Sequence, residues 1–347
     1  MENQWVRSIP KVELHRHLQG SIRTSTIRDI GRKYNIPLPA ESVSELDRFV
    51  KHRKPTKDLL NFLKLWDLFG EIILNSDVIF RIAYEAIEDA AKDNIIYMEL
   101  RFAPYTMSRN NNLTPREILR AVAEAVEYAK RSFPIIVKLV LGIARVSADD
   151  YFNYNVRILE AAQEYRDLVI GFDLTGDEAN FPPRMYKDFF QLVKKQGFKI
   201  TVHAGEAAGP NSVKEAIELL KADRIGHGIN ALQDPDVMRL LVHPSQKRGP
   251  VPLEICPTSA YLTGTLQKSQ VIPSIRRFLN YGVPVTISAD NPEVCDTTLS
   301  NEFEWLIRSK LFQPQEIFDI LRNAIDYSFA SANTKARLHG SLNNAFK

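Results

Sequence analysis

Cysteine is nearly absent from this 347-residue chain: Cys256 and Cys295 are the only two, too few for a disulfide framework. The segment Met1–Pro10 lacks an apolar core followed by a small-residue cleavage site, so no secretory leader is read there and a cytoplasmic location is expected. No apolar run approaches the ~20 residues a helix needs to cross a bilayer, and no membrane partner is expected. Neither sign of charge prevails, with 45 Lys plus Arg against 42 Asp plus Glu and a net charge of +3. Nucleic acid is therefore not an expected partner, since it calls for a strongly basic face. Low-complexity tracts are also missing. What remains is a chain long enough for two average domains or one large α/β barrel.

What the chain does have is alternation. Eight runs rich in β-branched and apolar residues predict strands at Lys11–Leu18, Ile95–Phe102, Ile135–Ile143, Val169–Leu174, Lys199–Val202, Arg224–Gly226, Val251–Ile255 and Val283–Ser288. Amphipathic stretches lie between them. Thr114–Arg131 opens Thr-Pro-Arg-Glu, an N-cap followed by Pro at the first helical position and an early acid, which predicts a helix. Further helices are expected at 151–165, 184–196, 212–221, 235–242, 272–281 and 300–310. Strands alternating with helices imply a parallel sheet covered on its outside, and eight such units predict a single-domain α/β fold, the (β/α)8 or TIM barrel, spanning residues 1–347. The stretch Arg23–Asp93 has helical character and no strand; it is expected to be a helical insertion after the first strand, covering the barrel mouth. Within it, Lys51-His-Arg-Lys54 is expected to be a solvated surface turn.

A barrel enzyme carries its reactive groups at the carboxyl ends of its strands. The first predicted strand ends in His15 and His17, spaced i, i+2 so that both imidazoles share one face. The fifth runs into His203-Ala-Gly-Glu206, the sixth into His227, and the eighth into Asp290-Asn291. Four of the seven histidines thus stand at strand ends, whereas His52, His243 and His339 fall in helix or loop contexts and are expected to be surface or packing residues. A lone histidine at such a place is usually a hydrogen-bonded core residue, but several converging with a carboxylate suit zinc. The chemistry that an open zinc position serves is hydrolysis.

The motifs Lys11-Val-Glu-Leu-His-Arg-His17, Gly171-Phe-Asp-Leu-Thr-Gly-Asp-Glu178, His203-Ala-Gly-Glu206, Arg224-Ile-Gly-His-Gly228, Cys256-Pro-Thr-Ser259 and Ser288-Ala-Asp-Asn-Pro292 stand in this order, which resembles the adenosine deaminase family of metal-dependent hydrolases from Lys11 to about Pro292. The resemblance implies one Zn2+ per chain, held by His15, His17, His203 and Asp290. It also implies that Glu206 protonates the purine ring nitrogen beside the carbon under attack, that His227 orients the attacking water, and that the Gly176 amide meets the ring. A strand-ending turn is the alternative for Gly176 and a helix-start charge the alternative for Glu206. Asp173 and Asp177 are expected to hold loops, Arg101 to pair with such a carboxylate, and the two cysteines to be packing residues, because neither shows the paired spacing of cytidine-type deaminases.

Two positions depart from the family pattern. Gln19 replaces an aspartate that binds the ribose 5′-hydroxyl, and Asn291 replaces an aspartate that bonds the purine N7, a contact an amide can still donate. Gln19 could instead cap the turn at Gly20. The expected activity is hydrolytic deamination at C6 of an aminopurine nucleoside, adenosine or a modified adenosine, a small-molecule purine substrate. The alternatives are an adenine or N6-substituted adenine base or nucleotide, another amidohydrolase reaction on an amide or ester, and, in a different class, a non-catalytic nucleoside- or metal-binding relative.

Overall fold

Eight strands are hydrogen-bonded in sequence order, each parallel to the next: β1 (Lys11–His17), β2 (Ile95–Phe102), β3 (Ile136–Arg145), β4 (Val169–Gly176), β5 (Lys199–Ala204), β6 (Arg224–His227), β7 (Leu253–Ile255) and β8 (Val285–Ile287). They come from a computed structural model that describes residues 4–146, 151–245 and 248–346. Each strand lies within about two residues of its expected place, because unbroken apolar runs between turn residues leave a parallel strand few alternatives. The sheet closes just beyond β8, where the His17 N–H donates to the Asp290 carbonyl at 2.8 Å and the Asp290 N–H donates to the His15 carbonyl at 2.9 Å. The result is the expected α/β barrel.

Helices cover its outer face. In Pro115–Ala129 the Thr114 side chain accepts from the Glu117 N–H while the Glu117 side chain accepts from the Thr114 N–H, the reciprocal cap that the sequence announces. Ser76–Lys92 buries Val78, Ile79, Ile82, Ala83, Ala86, Ile87 and Ala90, a stripe at helical spacing facing the core. This helix leads straight into β2 and packs against Pro115–Ala129. It is therefore a regular barrel helix, and the expected insertion shortens to the helices Thr24–Tyr34, Val43–Val50, Leu59–Leu63 and Leu65–Ile72.

Lys51-His-Arg-Lys54 is more than a solvated turn. Lys51 lies 3.4–3.5 Å from Asp47, Glu293 and Asp296, Arg53 Nε donates to Asp296 at 2.9 Å, and the His52 N–H donates to the Val294 carbonyl. The run fastens the insertion to the loop after β8. The centre of the barrel is charged rather than purely apolar: Glu99, Arg101, Asp173, Arg224 and Glu254 are all buried there. Arg101 pairs with Asp173 and Glu254, and Arg224 with Glu99 and Glu254.

Candidate metal centre and active site

Side chains on β1, β5 and the segment after β8 meet at one point. His17 Nε2 stands 3.2 Å from His203 Nε2 and 3.3 Å from Asp290 Oδ1, and His15 Nε2 stands 3.4 Å from Asp290 Oδ1. Ligand atoms at ~2.0–2.1 Å from a tetrahedral zinc stand roughly 3.3–3.4 Å apart, so these separations match the edges of such a site. His15 Nε2 and Asp290 Oδ1 are buried and make no hydrogen bond among the described residues, a costly state unless something else meets them.

What lies behind the imidazoles explains their orientation. Glu254 accepts from His15 Nδ1 at 2.7 Å and Asp173 accepts from His203 Nδ1 at 3.0 Å. A proton fixed on each Nδ1 leaves the Nε2 lone pair free to face the centre. Arg101 holds both carboxylates, at 2.8 Å each. Burial alone would raise Asp173 and Glu254, yet both sit below the usual carboxylate range, Asp173 through His203 and Arg101 and Glu254 through Arg101 and Arg224. Burial pushes His17 and His203 down, towards the neutral form that ligates. In this interior Asp173 and Glu254 face the guanidinium of Arg101, and Glu99 and Glu254 that of Arg224, whereas Asp290 faces the imidazoles of His15 and His17. A buried carboxylate set against neutral imidazoles is a place that a metal cation suits. The residues present fit zinc.

Glu206 lies beside this centre, 6% exposed, with its carboxyl raised well above the usual range by burial and by Asp290 and Glu178. Its Oε2 is 3.5 Å from His227 Nε2. Glu178 positions it: that carboxylate accepts the N–H groups of Gly205, Glu206, Ala207 and Ala208, the last three at 3.0, 2.7 and 3.1 Å. The helix that follows begins at Pro210, so Glu206 belongs to the loop rather than to the helix start. His227 and Asp290 have φ of 60° and 61°, the left-handed region that side chains other than glycine seldom adopt and that gathers at functional sites.

The same cavity is lined by Gln19, Gly176 and Asn291, with Trp66 and Phe62 from the insertion on its wall. Gly176 ends β4 at φ 107°, a conformation glycine alone takes readily. Gln19 is 3% exposed and its Nε2 donates to Thr106 Oγ1 at 2.9 Å. Gly20 makes room for Asn291: a Cβ there would stand 2.0 Å from Asn291 Oδ1. All nine residues singled out from sequence are thus gathered at the barrel mouth. Three further acids serve the site without a local sequence signal for that role. Asp173 orients an imidazole instead of holding a loop, Glu178 ends a quoted motif and holds the Glu206 loop, and Glu254 lies in Leu253-Glu-Ile255, where an acid inside an apolar strand run signals a buried partner.

A family model described as Adenosine deaminase matches residues 10–345. The chain belongs to the adenosine deaminase family. An adenosine deaminase of Shewanella denitrificans is 35% identical over 336 residues, covering 96% of this chain and 98% of that protein. Among solved structures, an adenine deaminase from Arthrobacter aurescens superposes with a TM-score of 0.86 at 25% identity, covering 97% of this chain and 98% of its own. The N6-methyl-AMP deaminase of Arabidopsis thaliana gives 0.83 at 27% identity, with 99% and 98% covered. Membership of this family makes the protein a zinc-dependent hydrolase acting on C–N bonds, in keeping with the donor set described above. Among the described residues no helix is long and apolar enough to cross a membrane.

Proposed function

We propose that the protein removes the 6-amino group of an aminopurine nucleoside by hydrolysis, releasing ammonia, with the whole chain acting as one catalytic domain. The observation that carries this reading is a buried carboxyl, Glu206, pushed up by its burial, beside a set of three imidazoles and a carboxylate. His15, His17, His203 and Asp290 would hold the ion. Once bound, a divalent ion acts as a Lewis acid that makes water nucleophilic near neutral pH.

The remaining work falls to the protein's own side chains. Glu206 gives its proton to the ring nitrogen next to C6, so that water adds to C6 without negative charge building on the ring. His227 fixes the attacking water. The Gly176 N–H meets one edge of the base, and the Asn291 amide donates to N7. The attacking water gives one proton to His227, which passes it to the amino group as the C–N bond breaks and ammonia leaves, and the C6 hydroxyl returns its remaining proton to Glu206 as the carbonyl forms. The two free, buried cysteines suit a reducing compartment, and we place the enzyme in the cytoplasm.

A nucleotide is the second reading. Neutral Gln19 stands where the family pattern has an acid, and Arg109 lines the same cavity, which removes repulsion from a 5′-phosphate and adds a cation. Ammonia release from adenosine, adenine, 5′-modified adenosines, AMP and N6-methyl-AMP, with and without a chelator, tests both readings. Metal analysis of active protein should find about one ion per chain, and full activity after complete metal removal would rule out the proposed site.

A further inference from the structure

Strand alternation sends Arg16, between His15 and His17, to the outer face of β1, away from the metal cavity. It is 4% exposed, and its Nε has no hydrogen-bond partner among the described residues. A buried guanidinium whose N–H goes unmet is costly. Glu13, Asp89 and Asp93 attract it through space, but each is already held by another donor. Asp89 accepts from Arg23 at 2.9 and 2.6 Å, Asp93 from the Ser300 N–H at 3.0 Å and Glu13 from the Ala289 N–H at 3.2 Å. Arg16 lines a crevice of about 430 Å³ between β1, the helix Ser76–Lys92 and the segment after β8.

The crevice offers what an oxyanion needs. Arg7 and Lys92 stand on its rim with side chains 53% and 62% exposed, and the pairs they make with Glu304 and Glu88 leave further N–H groups open. Thr298 Oγ1 accepts the Asn301 N–H at 3.2 Å and keeps its own proton to donate. The helix Leu299–Arg308 begins there, so its positive end adds to the attraction. Asp93 and Glu293 share the walls, and a phosphate that retains one proton can donate to such an oxygen.

We propose that this crevice binds a phosphate-class oxyanion, which clamps the barrel seam from outside. Its oxygens take the Arg16 N–H groups from β1, the Lys92 ammonium from the helix before β2 and the Thr298 hydroxyl from the segment after β8. Two of these pieces meet at the seam, where His17 and Asp290 bond through their backbones. An occupant that binds only the closed ring stabilises it by mass action. Neither the metal nor the deamination enters this inference.

Zinc-loaded protein titrated calorimetrically with inorganic phosphate, against chloride at equal ionic strength, should bind close to one phosphate per chain, and its melting temperature should rise with phosphate concentration. Arg16→Met keeps the apolar stem and removes the guanidinium; it should bind about ten- to a hundred-fold more weakly, the worth of a charge-assisted bond. Arg7→Gln combined with Lys92→Gln keeps the test open should Arg16→Met not fold, because both side chains are exposed. That double variant should bind about two- to thirtyfold more weakly, the range of two exposed ion pairs. Neither residue lines the metal cavity, so its loss of affinity is not a loss of phosphate from the ion. Uridine 5′-monophosphate in place of phosphate tells the source: comparable binding identifies a phosphate ester as the occupant, and binding of inorganic phosphate alone identifies the free ion. No saturable binding of either, or affinity unchanged in folded Arg16→Met or in the double variant, overturns the proposal.

Discussion

Glu206 and Gln19 show how differently single residues disclose their work. The raised Glu206 carboxyl must keep its proton to act, so kcat/KM should fall as pH rises through its elevated pKa. Glu206→Gln should bind metal normally and lose ~10²–10⁴-fold in kcat, the usual value of positioned acid–base catalysis; a slight loss would remove Glu206 from the mechanism. Gln19 is held by Thr106 against the cavity wall. If the substrate lacks a free 5′-hydroxyl, Gln19→Asp should turn the kcat/KM ratio towards adenosine and away from AMP by about ten- to a hundred-fold, the worth of a charge-assisted bond of roughly 1.5–3 kcal/mol. An unchanged ratio would leave Gln19 a purely structural residue. The nine candidates were legible because strand ends expose their chemistry in short motifs. Glu254 was not, since its meaning lies in contacts with His15, Arg101 and Arg224 from three other strands, which no local pattern records.

Among the elements, the loop Gly205–Ala208 depends most plainly on a distant residue. One carboxylate, Glu178, collects four successive N–H groups there, and hydrogen bonds to a charged group contribute ~1.5–3 kcal/mol each before non-additivity. Glu178→Ala should therefore lower kcat more than it raises KM, by letting Glu206 wander, and should raise amide exchange in that loop; unchanged exchange protection would contradict this. Strand and helix positions were legible from apolar periodicity, and the Thr114 cap from its own four residues. The extent of the insertion was not. Ser76–Lys92 carries the same helical pattern as its predecessors, and its membership of the barrel wall is decided by packing against Pro115–Ala129.

For the whole molecule, buried acids set opposing pH dependences. Glu13 and Glu302 are pushed up to about 7, chiefly by burial. Between the ordinary carboxylate pKa and that value the folded protein holds protons that the unfolded chain has lost, so stability falls as pH rises through this window. Asp173, Glu254 and Asp290 are lowered, and the stability they contribute is lost as pH falls below the ordinary range. Glu13 and Glu302 thus contribute a decline in melting temperature as pH rises towards about 7, against the rise contributed below the ordinary histidine range by the lowered His17, His203 and His227. Glu302→Gln should flatten that decline in thermal melts, and an undiminished slope would exonerate Glu302. The seam of the barrel carries a different consequence. Strand β1 and the segment after β8 are joined through the backbone of His15, His17 and Asp290, and the Ala289 N–H reaches Glu13 across 276 residues of chain. Bringing such remote segments together is entropically slow. During synthesis, then, two histidines emerge early and wait for a carboxylate that leaves the ribosome near the end, so a truncated nascent chain cannot complete the proposed donor set, and zinc capture should report that the ring has closed.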